Sequence, residues 1–397
     1  MEKEKFGNRV FLLFGLLTSF IGFNWFMWGP ILSSVIEPKY KVSGFIVALF
    51  ISSVPLMLVV LSYFAGSLAD TNPKRTTTIA ALFLAVTTIL RPFAIGNFYL
   101  LLALQIAFSV SAVFCFTSWS PLTYRLFEKD MAANKIAIYT AFLTGGQILA
   151  FLITYHIYLK IGLFWMLLVY GLVSFIVGIT YMLTVNKGSL PVEVQVLKRP
   201  SFSEGLNIAF KEKAMFPLSF IAFLDIGVFC WLAGWYPKML TAFKGITPDK
   251  AGIVNSLILL GCLIGAMTVP NWSHSIKKVK IFLSVLPILC IAMFILVPYI
   301  GNYILLLVDG LVLGFALFPM YPLGVHLPSA YSKIGIAYAG VGSGIILISA
   351  NLGGFLFPEI GSAVHTLWGS ILIFGVLPMF LMFLIAFAFR DPDTYRQ

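Results

Sequence analysis

Charge is what this sequence has least of. Asp, Glu, Lys and Arg make up 10% of its 397 residues, whereas soluble chains carry about 25%. With 60% of residues hydrophobic and a mean hydropathy of +0.99, there is too little polar surface to coat a soluble fold, and disorder or a collagen-like rod is excluded. Cysteine is scarce as well. Cys115, Cys230, Cys262 and Cys290 all lie inside apolar runs without disulfide or metal spacing, so neither a secreted disulfide scaffold nor a cysteine metal site is expected. The four histidines, His156, His274, His326 and His365, stand at or beyond helix ends. No HExxH, paired-acid or Ser/His/Asp arrangement is visible, so an enzyme is not expected, nor any cofactor or metal. No cleavable leader is evident: the first apolar run is too long for one and lacks a small-residue cleavage site.

What is present is a series of long unbroken apolar runs, such as Val10–Phe23 and Ile281–Ile300. A transmembrane barrel shows alternating ten-residue segments instead. The runs predict an all-α polytopic membrane protein of twelve helices, at 9–35, 43–69, 75–95, 98–124, 133–159, 162–185, 214–240, 250–270, 280–300, 302–328, 334–360 and 365–389. An even number of crossings puts both termini on one side. If that side is cytoplasmic, inside segments hold 19 Lys and Arg and outside segments 7, which the positive-inside rule favours. The net charge of +11 then reports orientation and contact with anionic lipids at the cytoplasmic face rather than a nucleic-acid partner.

The longest polar stretch falls within 186–213. It reads as a cytoplasmic linker with an amphipathic piece at 202–210, dividing the chain into six-helix bundles at 1–185 and 214–397. The halves repeat in order. Trp28-Gly29-Pro30 corresponds to Trp235-Tyr236-Pro237, Gly44 to Gly252, Gly96-Asn97 to Gly301-Asn302, Gln105 to Asp309, and Gln147 to Asn351. Duplicated halves predict a solute site at their interface near the bilayer midplane.

Several polar residues are candidates for that chemistry. Asp225 lies about 16 Å into helix 7 at 1.5 Å per residue, and Asp309 about two turns from the outer end of helix 10. An intramembrane carboxylate costs at least ~2.5 kcal/mol to insert. Each either binds a proton, balances a cationic solute, or hydrogen-bonds a neighbouring helix. Gln105, Gln147, Asn255 and Asn351 either orient a solute or join helices. Trp25 with Trp28 and Trp231 with Trp235 share helix faces, which suits an aromatic box for a quaternary amine, although Trp is also enriched at membrane interfaces. Arg91-Pro92 reads as a snorkelling anchor at a helix end.

The loop after helix 2 contains Gly66, Asp70, Lys74 and Arg75. This G-x-x-x-D followed by a basic pair resembles the signature of the major facilitator superfamily, with Thr71 and Pro73 departing from its pattern. The resemblance implies a conformational latch, with Gly66 admitting a close helix and Asp70 capping a helix N-terminus and pairing with Arg75. It implies secondary transport by alternating access. The short glycine pattern of helix 5 makes drug antiport a poor fit, and the lack of a mid-depth Lys or Arg does the same for an inorganic anion.

Within the superfamily the chain looks most like the feline leukaemia virus receptor-related carriers. The matching pieces are Asn24-Trp25, Val54-Pro55-Leu56, Asp70-Thr71, Gln105, Gly146-Gln147-Ile148, Tyr321-Pro322-Leu323-Gly324 and Ser349-Ala350-Asn351. That branch implies a choline-, ethanolamine- or haem-type cargo, with Trp25, Trp231, Gln147 and Asn351 surrounding it, Asn351 standing where the branch has glutamine; Trp28, Trp235 and Tyr321 are further substrate-binding candidates. The expectation is a monomeric carrier of a small organic solute in the cell membrane, a choline-like amine first. Uniport driven by the membrane potential suffices. The alternative is a proton-coupled carrier of another solute, such as a carboxylate.

Overall fold

The structure is a computed structural model describing residues 2–188, 190, 202–331, 334–364, 366–389 and 391. His365 and residues 189 and 191–201 of the segment between helices 6 and 7 lie outside the described residues.

Eleven helices among the described residues are long and apolar enough to cross a bilayer. One of them, Lys135–Lys187, runs 53 residues, against roughly 20 for one crossing. It turns at Gly162, whose φ of 75° is open to glycine but not to most side chains, and so supplies helices 5 and 6. The others are helix 1 (Glu4–Tyr40), helix 2 (Gly44–Thr71), helix 3 (Pro73–Ala94), helix 4 (Phe98–Phe116), helix 7 (Met215–Lys244), helix 8 (Pro248–Ile276), helix 9 (Val279–Tyr299), helix 10 (Tyr303–Val325), helix 11 (Gly340–Gly361) and helix 12 (Leu367–Phe387). A short helix, Phe202–Lys211, precedes helix 7. Rows of exposed large apolar residues, including Val60, Phe64, Trp165, Ile176, Ile304 and Phe387, suit contact with lipid.

The chain groups into two compact units. One is Met1–Val42 with Leu49–Leu197; the other is Ser43–Ala48 with Lys198–Gln397. Inside each unit the same close contact recurs. A Cβ on Gly146 of helix 5 would stand 1.9 Å from the Ser19 carbonyl of helix 1, and one on Gly353 of helix 11 would stand 1.9 Å from the Phe223 carbonyl of helix 7. Only glycine lets these backbones approach, as small residues do in membrane helix pairs generally.

Prolines set the breaks. A proline lacks its own N–H and crowds the carbonyl four residues earlier. Pro30 acts on Phe26, where the first α-segment of helix 1 ends; a turn at Met27–Trp28 and a π-helix at Leu32–Ile36 follow. Pro121 acts on Thr117, where helix 4 stops before a second piece, Trp119–Leu126. Pro322 acts on Phe318, where the first segment of helix 10, Tyr303–Leu317, ends before a second, Met320–His326. Helices 4 and 10 were expected to run unbroken over 98–124 and 302–328, so these interruptions are a correction.

Pro55 is handled differently, because helix 2 continues through it. The carbonyl it deprives of a partner is that of Ile51, and Trp25 Nε1 donates to that oxygen at 2.8 Å. The indole thus replaces the missing backbone donor. Trp25→Phe is expected to cost about 1–3 kcal/mol by orphaning a buried carbonyl, and adding Pro55→Ala, which restores an N–H, should recover most of it. Thermal melts of the two single variants and the double variant measure this; strictly additive losses would refute the pairing. In the same assay Gly353→Val should cost about 1–3 kcal/mol through overpacking. Gly66→Ala should be neutral or slightly stabilising, since nothing lies within 4 Å of a Cβ there.

Candidate functional site

In the first unit a polar cluster forms around Arg91. Helix 3 buries Thr77, Leu84 and Thr88, and Arg91 falls on that same face, seven residues after Leu84. It is 1% exposed. Its Nη1 donates to Asn24 Oδ1 at 3.0 Å and its Nη2 to Gln105 Oε1 at 2.6 Å. Gln105 Oε1 also accepts from Trp28 Nε1 at 2.9 Å, while its Nε2 donates to the Phe50 carbonyl at 2.8 Å. Asn24 Nδ2 donates to Ser174 Oγ at 2.8 Å and to the Phe20 carbonyl at 2.9 Å. The guanidinium lies 5.4 Å from the Trp28 ring and 4.7 Å from that of Phe108. Among the described residues no carboxylate pairs with Arg91, and its Nε–H has no acceptor.

Arg91 is therefore not a snorkelling anchor. It does sit at a helix end, but helices 1 and 4 bring amide oxygens to it and close it off from lipid. Arg91 is thus a buried cation at a helix end, and the absence of a mid-depth Lys or Arg, which argues against an inorganic anion, is unaffected by it. Trp28 is also committed: its N–H goes to Gln105 and its face to Arg91. A second cation about 6 Å from Arg91 would be repelled by about 3 kcal/mol at an effective dielectric of 20, so Trp28 is a poor wall for an amine.

Trp25 is buried, bonded to Ile51 and edge-on to Phe26. Gln147 is buried too, yet makes no hydrogen bond among the described residues, which leaves its amide available.

At the expected latch, Arg125 of the second helix 4 piece donates to the carbonyls of Asp70 at 2.7 Å and Thr71 at 3.4 Å. The cap of helix 3 is Asn72, whose Oδ1 accepts from the Arg75 N–H at 3.1 Å. Pro73 starts the helix, and the residue just before it becomes the cap. Lys74 Nζ donates to the Gly188 carbonyl. Among the described residues nothing lies within 4 Å of a Cβ built on Gly66.

The second unit holds the carboxylates. Asp225 is fully buried and, apart from the Tyr321 backbone N–H that approaches it, neither oxygen has a donor among the described residues. Tyr321, Cys262 and Cys290 lie within electrostatic reach of it. Asp309 is also buried with both oxygens unpartnered, and Tyr236, whose hydroxyl is likewise buried and unpartnered, is within its reach. Tyr236 lies eleven residues beyond Asp225 on helix 7, or about 16 Å along the axis, so the two acids occupy different depths. Asn255 Nδ2 donates to the Leu232 carbonyl at 3.1 Å, leaving its Oδ1 without a donor. Asn351 Nδ2 bonds the Leu347 carbonyl of its own helix at 2.8 Å.

Trp231 stacks on Phe374 at 5.4 Å and approaches Phe294 at 6.4 Å. Trp235 Nε1 donates to the Pro358 carbonyl at 2.7 Å, with Lys238 Nζ 5.0 Å above its ring. Both tryptophans line a cavity of about 160 Å³ together with Lys238, Met239, Ser362 and Ser370. A third carboxylate, Glu359, is buried on helix 11. Sequence reasoning missed it because it counts as a helix-end residue, although Pro358 beside it lies inside the helix.

Comparisons with known proteins follow the same line. The family model described as Major Facilitator Superfamily matches residues 14–358. An uncharacterized protein of Archaeoglobus fulgidus is 26% identical over 233 residues, covering 57% of this chain and all of the relative. A bacterial homologue of the human lysosomal transporter Spinster, in an inward-facing and unoccupied conformation, superposes with a TM-score of 0.71 at 15% identity, covering 98% of this chain and 96% of the other. The nucleoside transporter NupG gives a TM-score of 0.69 at 16% identity, covering 96% and 98%. At these identities the structural likeness is one of fold. The family match spans most of the chain: the protein belongs to the Major Facilitator Superfamily, and is a transporter of small solutes, not an enzyme.

Proposed function

We propose that this transporter moves a small organic cation, with a choline-like amine as the first candidate, by alternating access across the cell membrane, both termini being cytoplasmic. The observation that carries the reading is the pair of buried acids in the second unit. Among the described residues Asp225 and Asp309 have no side-chain hydrogen-bond partner, Asp225 being approached only by the Tyr321 backbone N–H, an arrangement that costs several kcal/mol unless a cation or a proton arrives. The unengaged amide of Gln147 in the first unit suits a polar solute, and the Trp231–Trp235 cavity in the second suits a partly aromatic one. The local sequence likeness to the feline leukaemia virus receptor-related branch points the same way. The Gly66–Arg75 segment acts as the latch, and the functional unit is the monomer.

A second reading has its own observation. Asp309 with the unbonded Tyr236 hydroxyl beside it suits a proton site, which makes the protein a proton-coupled carrier of another solute, such as a carboxylate or a nucleoside. Purified protein in proteoliposomes separates the two. A solute cation gains about 2.3 kcal/mol per 100 mV, so tracer choline should accumulate up to about fiftyfold under an inside-negative potential with no pH gradient. Asp309→Asn and Asp225→Asn should each reduce that uptake at least about tenfold, the loss of one interior charge partner being worth more than 1.4 kcal/mol. Uptake driven by a pH gradient alone, and lost in Asp309→Asn, would overturn the cation reading in favour of proton coupling. A thermal-shift screen against amines, carboxylates, sugars and nucleosides identifies the solute class directly.

A further inference from the structure

We propose that Arg91 is a positioning residue for transport: it pins the break in helix 1 by binding the helix on both sides of the discontinuity. Helix 1 leaves α geometry after Phe26, where Pro30 disrupts the ladder. Trp28 stands at the start of the next short piece and gives it no side-chain cap, and a π-helix follows over Leu32–Ile36. Within the helix the joint keeps only local bonds, from the Met27 N–H to the Phe23 carbonyl at 2.9 Å and from the Ile31 N–H to the Trp28 carbonyl at 3.0 Å.

Arg91 braces the joint from helix 3. Below the break it bonds Asn24 at 3.0 Å. Above the break it reaches Trp28 twice, through the shared Gln105 Oε1 and through the ring face 5.4 Å away. Gln105 passes the constraint to helix 2 through the Phe50 carbonyl. One planar guanidinium therefore ties helices 1, 2, 3 and 4 at the joint, which an ammonium, with a single charged centre and no fork, cannot reproduce. The second half supplies a comparison. Helix 7 carries the matching Trp235-Tyr236-Pro237 but is continuous over Met215–Lys244, and Asp309, which corresponds to Gln105, bonds nothing. The pin is present where the break is.

An arginine kept in the membrane without a carboxylate is costly. Its acceptors here are neutral amide oxygens, and its Nε–H is unused. These bonds can be exchanged one at a time as the joint bends, whereas a buried salt bridge would have to separate opposite charges.

Amide hydrogen exchange of the full chain in lipid nanodiscs tests this without any solute, so its failure is distinguishable from failure of the cation reading. Arg91→Lys keeps the charge and should fold, yet exchange over residues 27–36 should rise about tenfold or more while helices 5 and 6 keep wild-type protection. Gln105→Glu retains the shared acceptor and should leave the joint protected. Asn24→Leu, which removes only the lower tie, should loosen the same segment in a chain that folds even where Arg91→Met does not. Wild-type protection of residues 27–36 in both Arg91→Lys and Asn24→Leu would overturn the proposal. So would loosening spread evenly over helices 1–6, which is what a merely structural arginine gives.

Discussion

Inside lipid a backbone carbonyl or N–H has no water to turn to, and every other feature of this protein follows from that constraint. It is why the chain is helical from end to end among its described spans, and why each proline within a helix must be answered locally. Pro30, Pro121 and Pro322 are answered by ending one helical segment and starting another. Pro55 is answered by a side chain, the indole of Trp25 filling the vacancy at Ile51. Trp25 and Pro55 are thus two parts of one device on different helices, which gives a physical reason for both to belong to the same sequence pattern.

The two halves solve the same packing problem identically and the polar problem differently. Gly146 against Ser19 and Gly353 against Phe223 are the same close contact in two copies. Small residues at these points bring the carbonyl-bearing backbones together, and dispersion replaces the hydrophobic drive that lipid cannot supply. The polar interiors then diverge. Gln105 sits in a node where both its oxygen and its nitrogen are used, whereas Asp309 in the corresponding place uses neither oxygen. A saturated node holds helices at fixed spacing; an unsaturated one is a place where a proton or a cation changes the energy. The packing frame is shared, and at this pair of positions the polar contacts differ.

Much of this was legible in the sequence, and the rest was not for definite reasons. Apolar run length and the punctuation by Gly, Pro and charge placed all twelve helices, because a crossing has a minimum length and its ends need polar residues. The depth of Asp225 was legible by counting, since rise per residue is fixed. Arg91 was misjudged because its distance from the helix end was weighed and its face was not. Its seven-residue spacing from Leu84, and that of Leu84 from Thr77, already set it on the buried side of helix 3. What no local pattern carries is the convergence of Asn24, Gln105 and Trp28 upon it, since those contacts join residues 67, 14 and 77 positions apart. The π-helices of helices 1 and 12 were equally invisible, because in spans that are apolar on nearly every side a change of helical phase leaves no mark in the pattern.

Tryptophan is the instructive case. In the sequence four of them look interchangeable as walls of an aromatic box, and the folded chain gives each a different task. Trp25 replaces a backbone donor, Trp28 is held between an amide and a cation, Trp231 is stacked into an aromatic layer with Phe374, and Trp235 bonds a helix 11 carbonyl beside Lys238. A quaternary amine is attracted by an open ring face and repelled by a nearby guanidinium or ammonium, and at about 6 Å the repulsion is larger than the ~0.5–2 kcal/mol a single ring offers. Aromatic content alone therefore does not make an amine site in this protein. The balance turns on whether a carboxylate stands near the ring, and among the described residues the buried Asp225, Asp309 and Glu359 all belong to the second unit. If the solute is a cation, those carboxylates, more than the tryptophans, decide its affinity.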